Sequence, residues 1–67
     1  MPGPIAVKLR ALREERSLTQ KEAAQLAQIH LDTLRRLESG ERPPYMPTLT
    51  KIARGYGVSI EEVVGEY

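Results

Sequence analysis

Thr19-Gln20-Lys21-Glu22-Ala23-Ala24-Gln25-Leu26-Ala27-Gln28-Ile29-His30-Leu31-Asp32-Thr33-Leu34-Arg35-Arg36-Leu37-Glu38-Ser39-Gly40 is the stretch that decides the fold. It opens on a capping box. The Thr19 hydroxyl can take the N–H of Glu22 while the Glu22 carboxylate returns to the N–H of Thr19, and Leu18 and Ala23 stand at the hydrophobic-staple positions around it. A helix is expected from about Gln20 to Ala27, with Ala23, Ala24 and Ala27 on its buried face, small enough for another helix to come close. A further helix is expected from about Leu31 to Ser39, with Leu34 and Leu37 inward and Gly40 as its stop. Only Gln28-Ile29-His30 joins the two, too short a turn for an antiparallel return, so they are expected to cross steeply. Burying Ala24, Ile29, Leu34 and Leu37 between them turns Leu31, Asp32, Arg35 and Arg36 outward. A helix so presented can enter a groove about 12 Å wide.

Outward from this unit, no strand-like alternation occurs and three more helices are expected. The first opens at Pro4, whose missing N–H is harmless in a first turn. Ile5, Leu9, Leu12 and Leu18 make its apolar side, and Ser17 breaks it. After Glu41-Arg42-Pro43-Pro44-Tyr45, where two prolines stiffen an extended path, the fourth runs from about Met46 to Gly55. It buries Leu49, Ile52 and Ala53, and Gly57 ends it. Ser59-Ile60-Glu61-Glu62 is a second capping box that starts a short fifth helix at about Ile60, with Val63 and Val64 apolar. The architecture expected is all-α, a compact five-helix single domain over residues 1–67, with the helix-turn-helix at about 20–39.

A chain of 67 residues allows one small core, with no cysteine to staple it. The N-terminal stretch through Val7 is too short an apolar run for a leader or a membrane span before Lys8 interrupts it. A soluble, cytoplasmic protein is expected. The net charge is +1, too little to announce a polyanion binder. Residues 1–42 carry eight Lys/Arg against six Asp/Glu and residues 43–67 two against three, so the N-terminal part is the side more suited to nucleic acid. His30 is the only histidine and reads as a turn residue, so no metal or other cofactor is expected. Glu14, Glu15, Glu61 and Glu62 sit on polar helix faces and form no acid–base pair. With no phosphate loop and no nucleophile–base constellation, the chain is not expected to be an enzyme.

The residues from Thr19-Gln20-Lys21-Glu22-Ala23-Ala24 through Leu34-Arg35-Arg36-Leu37-Glu38-Ser39-Gly40 resemble the lambda-repressor-like, XRE-type helix-turn-helix family. The resemblance continues through Pro47-Thr48-Leu49, Ile52-Ala53 and Gly57-Val58-Ser59 and covers nearly the whole chain. It implies five helices, binding to double-stranded operator DNA as a homodimer, and transcriptional control, most simply as a repressor. Gln20 stands where the family places a phosphate-clamping glutamine. Leu31, Asp32 and Arg36 stand at the base-reading positions, with Thr33 and Arg35 beside them. Arg13 and Glu38 match a pair that forms an internal salt bridge in several phage repressors. The region of Arg42 to Met46 matches a loop whose backbone N–H groups meet phosphate. Two departures stand out. Gln28 replaces a left-handed glycine, at a cost of roughly 1–2 kcal/mol, and His30 replaces the usual Ser or Thr cap.

Each assignment has a plainer counterpart. Arg36 suits guanine O6 and N7, or it pairs with Asp32 at i,i+4 for a few tenths of a kcal/mol. Arg35 contacts phosphate or is merely solvated. Asp32 either accepts from cytosine N4 or only favours the positive end of its helix. Leu31 touches a thymine methyl or is an ordinary exposed leucine. Ile60, Val63, Val64 and Tyr67 either supply a dimer contact or close the monomer's core. The competing function is a protein-interaction module of the same fold, an antitoxin-like or adaptor subunit with a protein partner, which the low net charge and the Leu31–Asp32 pair favour.

Overall fold

A computed structural model describes residues 3–64 of the chain. They form α1 (Pro4–Glu15), α2 (Gln20–Ala27), α3 (Leu31–Ser39), α4 (Met46–Tyr56) and α5 (Ile60–Val64), with no strand among the described residues. The expected all-α order of five helices is therefore observed, and α4 runs one residue past its expected end. Pro4 stands in the first turn of α1, where no N–H is needed. The Thr19 capping box is complete: Thr19 Oγ1 accepts from the Glu22 N–H at 3.0 Å, and the Thr19 N–H donates to Glu22 Oε1 at 2.9 Å. At α5 the Ser59 hydroxyl accepts from the Glu62 N–H at 3.2 Å.

Four helices end in the same way. The residue after the C-cap turn donates its N–H to a carbonyl five residues back: Leu18 to Arg13, Ile29 to Ala24, Glu41 to Arg36 and Val58 to Ala53. Such an ending needs the preceding residue in the left-handed region. Gly40 and Gly57 take it at φ 82° and 73°, whereas Ser17 and Gln28 take it at φ 55° and 59° despite carrying side chains. Gln28 thus adopts the conformation expected of the glycine it replaces. Ser17 does more than interrupt α1, because its left-handed turn redirects the chain into the Thr19 cap.

The core follows from the apolar spacing. Leu9, Leu34, Leu49, Ile52 and Val63 are wholly buried, one or more from each of α1, α3, α4 and α5. From α2 come only Ala23, Ala24 and Ala27, and the small faces bring α2 against both α3 and α4. A Cβ added at Gly55 would lie 2.9 Å from the backbone of Ala27, so α4 sits on α2 at glycine–alanine distance. Helix α5 packs on α4 and α1. Val63 is fully buried there, and Ile60 and Val64 are half-buried against the same core. The described part of α5 therefore closes the monomer; Tyr67 lies outside the described residues.

Candidate nucleic-acid interface

The turn between α2 and α3 sets which side of α3 is free. Leu34 and Leu37 are drawn into the core, so Leu31, Asp32, Arg35 and Arg36 face solvent, as the helical period requires. Thr33 is half-buried at the edge of that face. His30 provides no side-chain cap, so the first N–H groups of α3 are open, and Asp32 in the first turn places a carboxylate beside their partial positive charge. That carboxylate is shared: Asp32 Oδ1 accepts from Arg35 Nη2 at 3.1 Å, and Asp32 Oδ2 takes Arg36 Nε at 3.0 Å. All three side chains are more than half exposed. The plainer i,i+4 contact of Arg36 thus exists in the isolated chain, and an i,i+3 contact of Arg35 adds to it.

Behind α3 lies a buried ionic brace. Arg13 of α1 forks onto Glu38 of α3, Nε to Oε2 at 2.8 Å and Nη2 to Oε1 at 3.0 Å, with side-chain exposures of 11% and 4%. Arg13 Nη1 also donates to the Leu18 carbonyl at 2.8 Å. The hydrogen bond to Glu38 raises the Arg13 pKa further, against the opposing effect of burial, so the guanidinium stays charged. Gln20, half-buried at the start of α2, donates Nε2–H to Glu38 Oε1 at 3.1 Å. Its amide has a second N–H and a carbonyl oxygen to offer elsewhere. The brace ties α1, the N-terminus of α2 and the C-terminal half of α3 together, and holds Gln20 in register with the exposed face of α3.

Arg10, Arg13, Gln20, Arg35, Glu38 and Ser39 line an open polar depression of about 430 Å³. The fold thus brings Gln20 and Arg35 together. It keeps Arg42 apart: this exposed residue lies beyond the C-terminus of α3, its N–H on the Arg36 carbonyl at 3.2 Å. There it flanks a cleft of about 180 Å³ walled by Pro4, Ile5, Leu37, Pro43 and Pro44. Sequence reasoning missed Arg10 in the depression, although the three-residue spacing from Arg13 puts both on one face of α1. It also missed Arg16, which donates Nε–H to the Tyr56 carbonyl at 2.9 Å and Nη1–H to the Leu12 carbonyl at 2.8 Å. Its guanidinium carbon lies 5.9 Å from the Tyr56 ring centre. Among the described residues no cluster of three His, Cys, Asp or Glu is placed to hold a metal ion, and no helix is long and apolar enough to cross a membrane.

A family model described as Helix-turn-helix domain matches residues 4–64. The chain is 39% identical over 60 residues to an HTH-type transcriptional regulator of Deinococcus deserti, covering 90% of this chain and 46% of that protein. It is 39% identical over 59 residues to the cryptic phage CTXphi transcriptional repressor RstR of Vibrio cholerae, covering 88% and 53%. With the immunity repressor protein of Bacillus phage phi105 the identity is 31% over 62 residues, covering 92% and 43%. The crystal structure of an HTH_3 family transcriptional regulator from Vibrio cholerae superposes with a TM-score of 0.85 at 37% identity, over 88% of this chain and 33% of that one. The chain thus spans about half the length of the curated relatives it matches.

Proposed function

This chain belongs to the helix-turn-helix domain family, and on that premise we propose that it is a DNA-binding transcriptional regulator acting as a repressor. Residues 1–67 act as one DNA-binding unit in the cytoplasm, without catalysis. Helix α3 enters the major groove of double-stranded DNA, Arg36 forks onto guanine, Asp32 and Leu31 meet neighbouring base edges, and Thr33 stands beside them. Arg35, Gln20 and Arg42 hold phosphates, which positions the helix without reading sequence. The observation that carries this reading is the exposed Leu31–Asp32–Arg35–Arg36 face backed by the buried Arg13–Glu38–Gln20 brace. A rigidly seated helix with a polar, protruding face can discriminate bases; a loosely seated one cannot. Relatives named as repressors support the same reading. As a homodimer the protein would set two copies of α3 about 34 Å apart on a near-palindromic operator.

Selection from a random duplex library at about 0.1 M salt, where phosphate contacts are still visible, tests it with Arg36→Ala in parallel. Enrichment of a near-palindrome that the substitution weakens or relaxes is the expected result. No enrichment, with weak binding indifferent to the substitution, would instead favour a protein partner for this face.

A further inference from the structure

We infer that Asp32 is a specificity-determining residue of α3, a carboxylate latch that keeps Arg35 and Arg36 off the phosphates of unrelated DNA. This rests on α3 being the DNA-reading helix and goes beyond it by giving the three charges a joint role. The observation is the sharing itself: the two oxygens of one exposed carboxylate are occupied by the two arginines of the reading face, at 3.1 and 3.0 Å. An arginine paired with Asp32, Arg35 by a hydrogen bond and Arg36 by an ion pair, has part of its donor fork turned towards the carboxylate. To contact a phosphate or a guanine it must leave, and the Asp32 carboxylate then enters the groove without its partners.

The consequence depends on what the groove presents. Cytosine N4 and adenine N6 are donors in the major groove, whereas guanine O6 and N7 and thymine O4 are acceptors. Facing a donor, Asp32 exchanges its arginines for the base, and both guanidiniums are released to DNA. Facing acceptors, or phosphates during loose encounter, the carboxylate is repelled and the arginines remain where they are. Each of the two pairs is weak, as exposed pairs are, so the latch opens readily on the right sequence. This also accounts for an acidic residue standing in the middle of a surface meant for a polyanion.

The test is binding of the 67-residue chain to a random-sequence duplex and to the selected operator, by fluorescence anisotropy over a salt series. Wild type is compared with D32N and with the same substitution in an R35Q/R36Q background. Asp32 is exposed, its side chain 57% accessible, and circular dichroism checks that helix content is kept. D32N is expected to bind the random duplex roughly fivefold to tenfold more tightly at 0.1 M salt, with a salt slope steeper by about one to two, as one or both released arginines reach phosphate. The operator-to-random ratio falls by about tenfold. In the R35Q/R36Q background the same substitution brings less than a twofold gain, because no arginine remains to release. An equal gain without the arginines would overturn the latch and leave simple charge repulsion. Unchanged random-duplex binding, or an unchanged operator-to-random ratio, would overturn it with the DNA-reading assignment of α3 intact. Absence of duplex binding by wild type and D32N alike would overturn both.

Discussion

Glu38→Gln is the substitution that most directly tests how α3 is held. Glu38 accepts three N–H bonds, two from Arg13 at 2.8 and 3.0 Å and one from Gln20 at 3.1 Å, with a side chain 4% exposed. Glutamine fits the same space but has one acceptor oxygen and an NH₂ group. Whichever way it turns, a donor faces one of the Arg13 N–H groups, and the guanidinium, only 11% exposed, loses its counter-charge. Stranding one partner of a buried pair costs about 3–5 kcal/mol. A domain of this length has a total stability of roughly 3–10 kcal/mol, so the variant should lie near or beyond the threshold of folding. With a urea slope of about 1 kcal/mol/M for so small a protein, the midpoint followed by circular dichroism at 222 nm should fall by roughly 3 M. The double substitution R13M/E38L removes both charges at similar volume and should recover about 2 kcal/mol or more relative to E38Q. It leaves the Leu18 carbonyl without the Arg13 bond, so recovery to full wild-type stability is not expected. A loss below about 1 kcal/mol in E38Q, or a double variant no more stable than E38Q, would show that the pair behaves as a surface ion pair and does not brace α3.

Gly55→Ala should destabilise by about 1–3 kcal/mol, since the new methyl lies 2.9 Å from the Ala27 backbone and backbone cannot yield as a flexible side chain can; an unchanged melting temperature would contradict the close approach of α2 and α4. Gln28→Gly relieves a left-handed side chain at φ 59°; set against glycine's greater chain entropy when unfolded, a net gain of about 0.5–1 kcal/mol is expected, read as a melting temperature higher by a few degrees. Tyr56 gives a pH signature. Burial first, and then the Glu38 charge, push its hydroxyl up to about 12 from 10.0, and its Oη meets no hydrogen-bond partner among the described residues. The unfolded chain ionises from about pH 10 while the fold keeps the proton to about 12, so this contribution is complete below pH 10. It is lost as pH rises through that window, by roughly 2–3 kcal/mol. Tyr56→Phe should flatten that alkaline loss in denaturant titrations at pH 9–12, and an equally steep loss in the variant would place its origin elsewhere.

What could be read from the sequence was local. Five helices, their starts at Pro4, Thr19 and Ser59, and their stops at Gly40 and Gly57 are set by signals within one turn of the chain, where cap and backbone interact over three to five residues. The outward face of α3 follows from the 3.6-residue period once Leu34 and Leu37 are inside, and the Arg13–Glu38 pair was legible through family resemblance. The tertiary structure alone decided what depends on residues distant along the chain. Nothing local tells Gly55 that Ala27 will be its neighbour, Tyr56 that it will be buried near Glu38, or Arg16 that a carbonyl forty residues away will accept its N–H. The same holds for the site. Gln20 and Arg35 come to one depression because the α2–α3 turn and the brace from α1 fix how the helices are rotated against one another, whereas Arg42 is placed by the local ending of α3 at Gly40. That rotation is set by the packing of alanine faces and one buried ion pair, quantities that composition and period leave open.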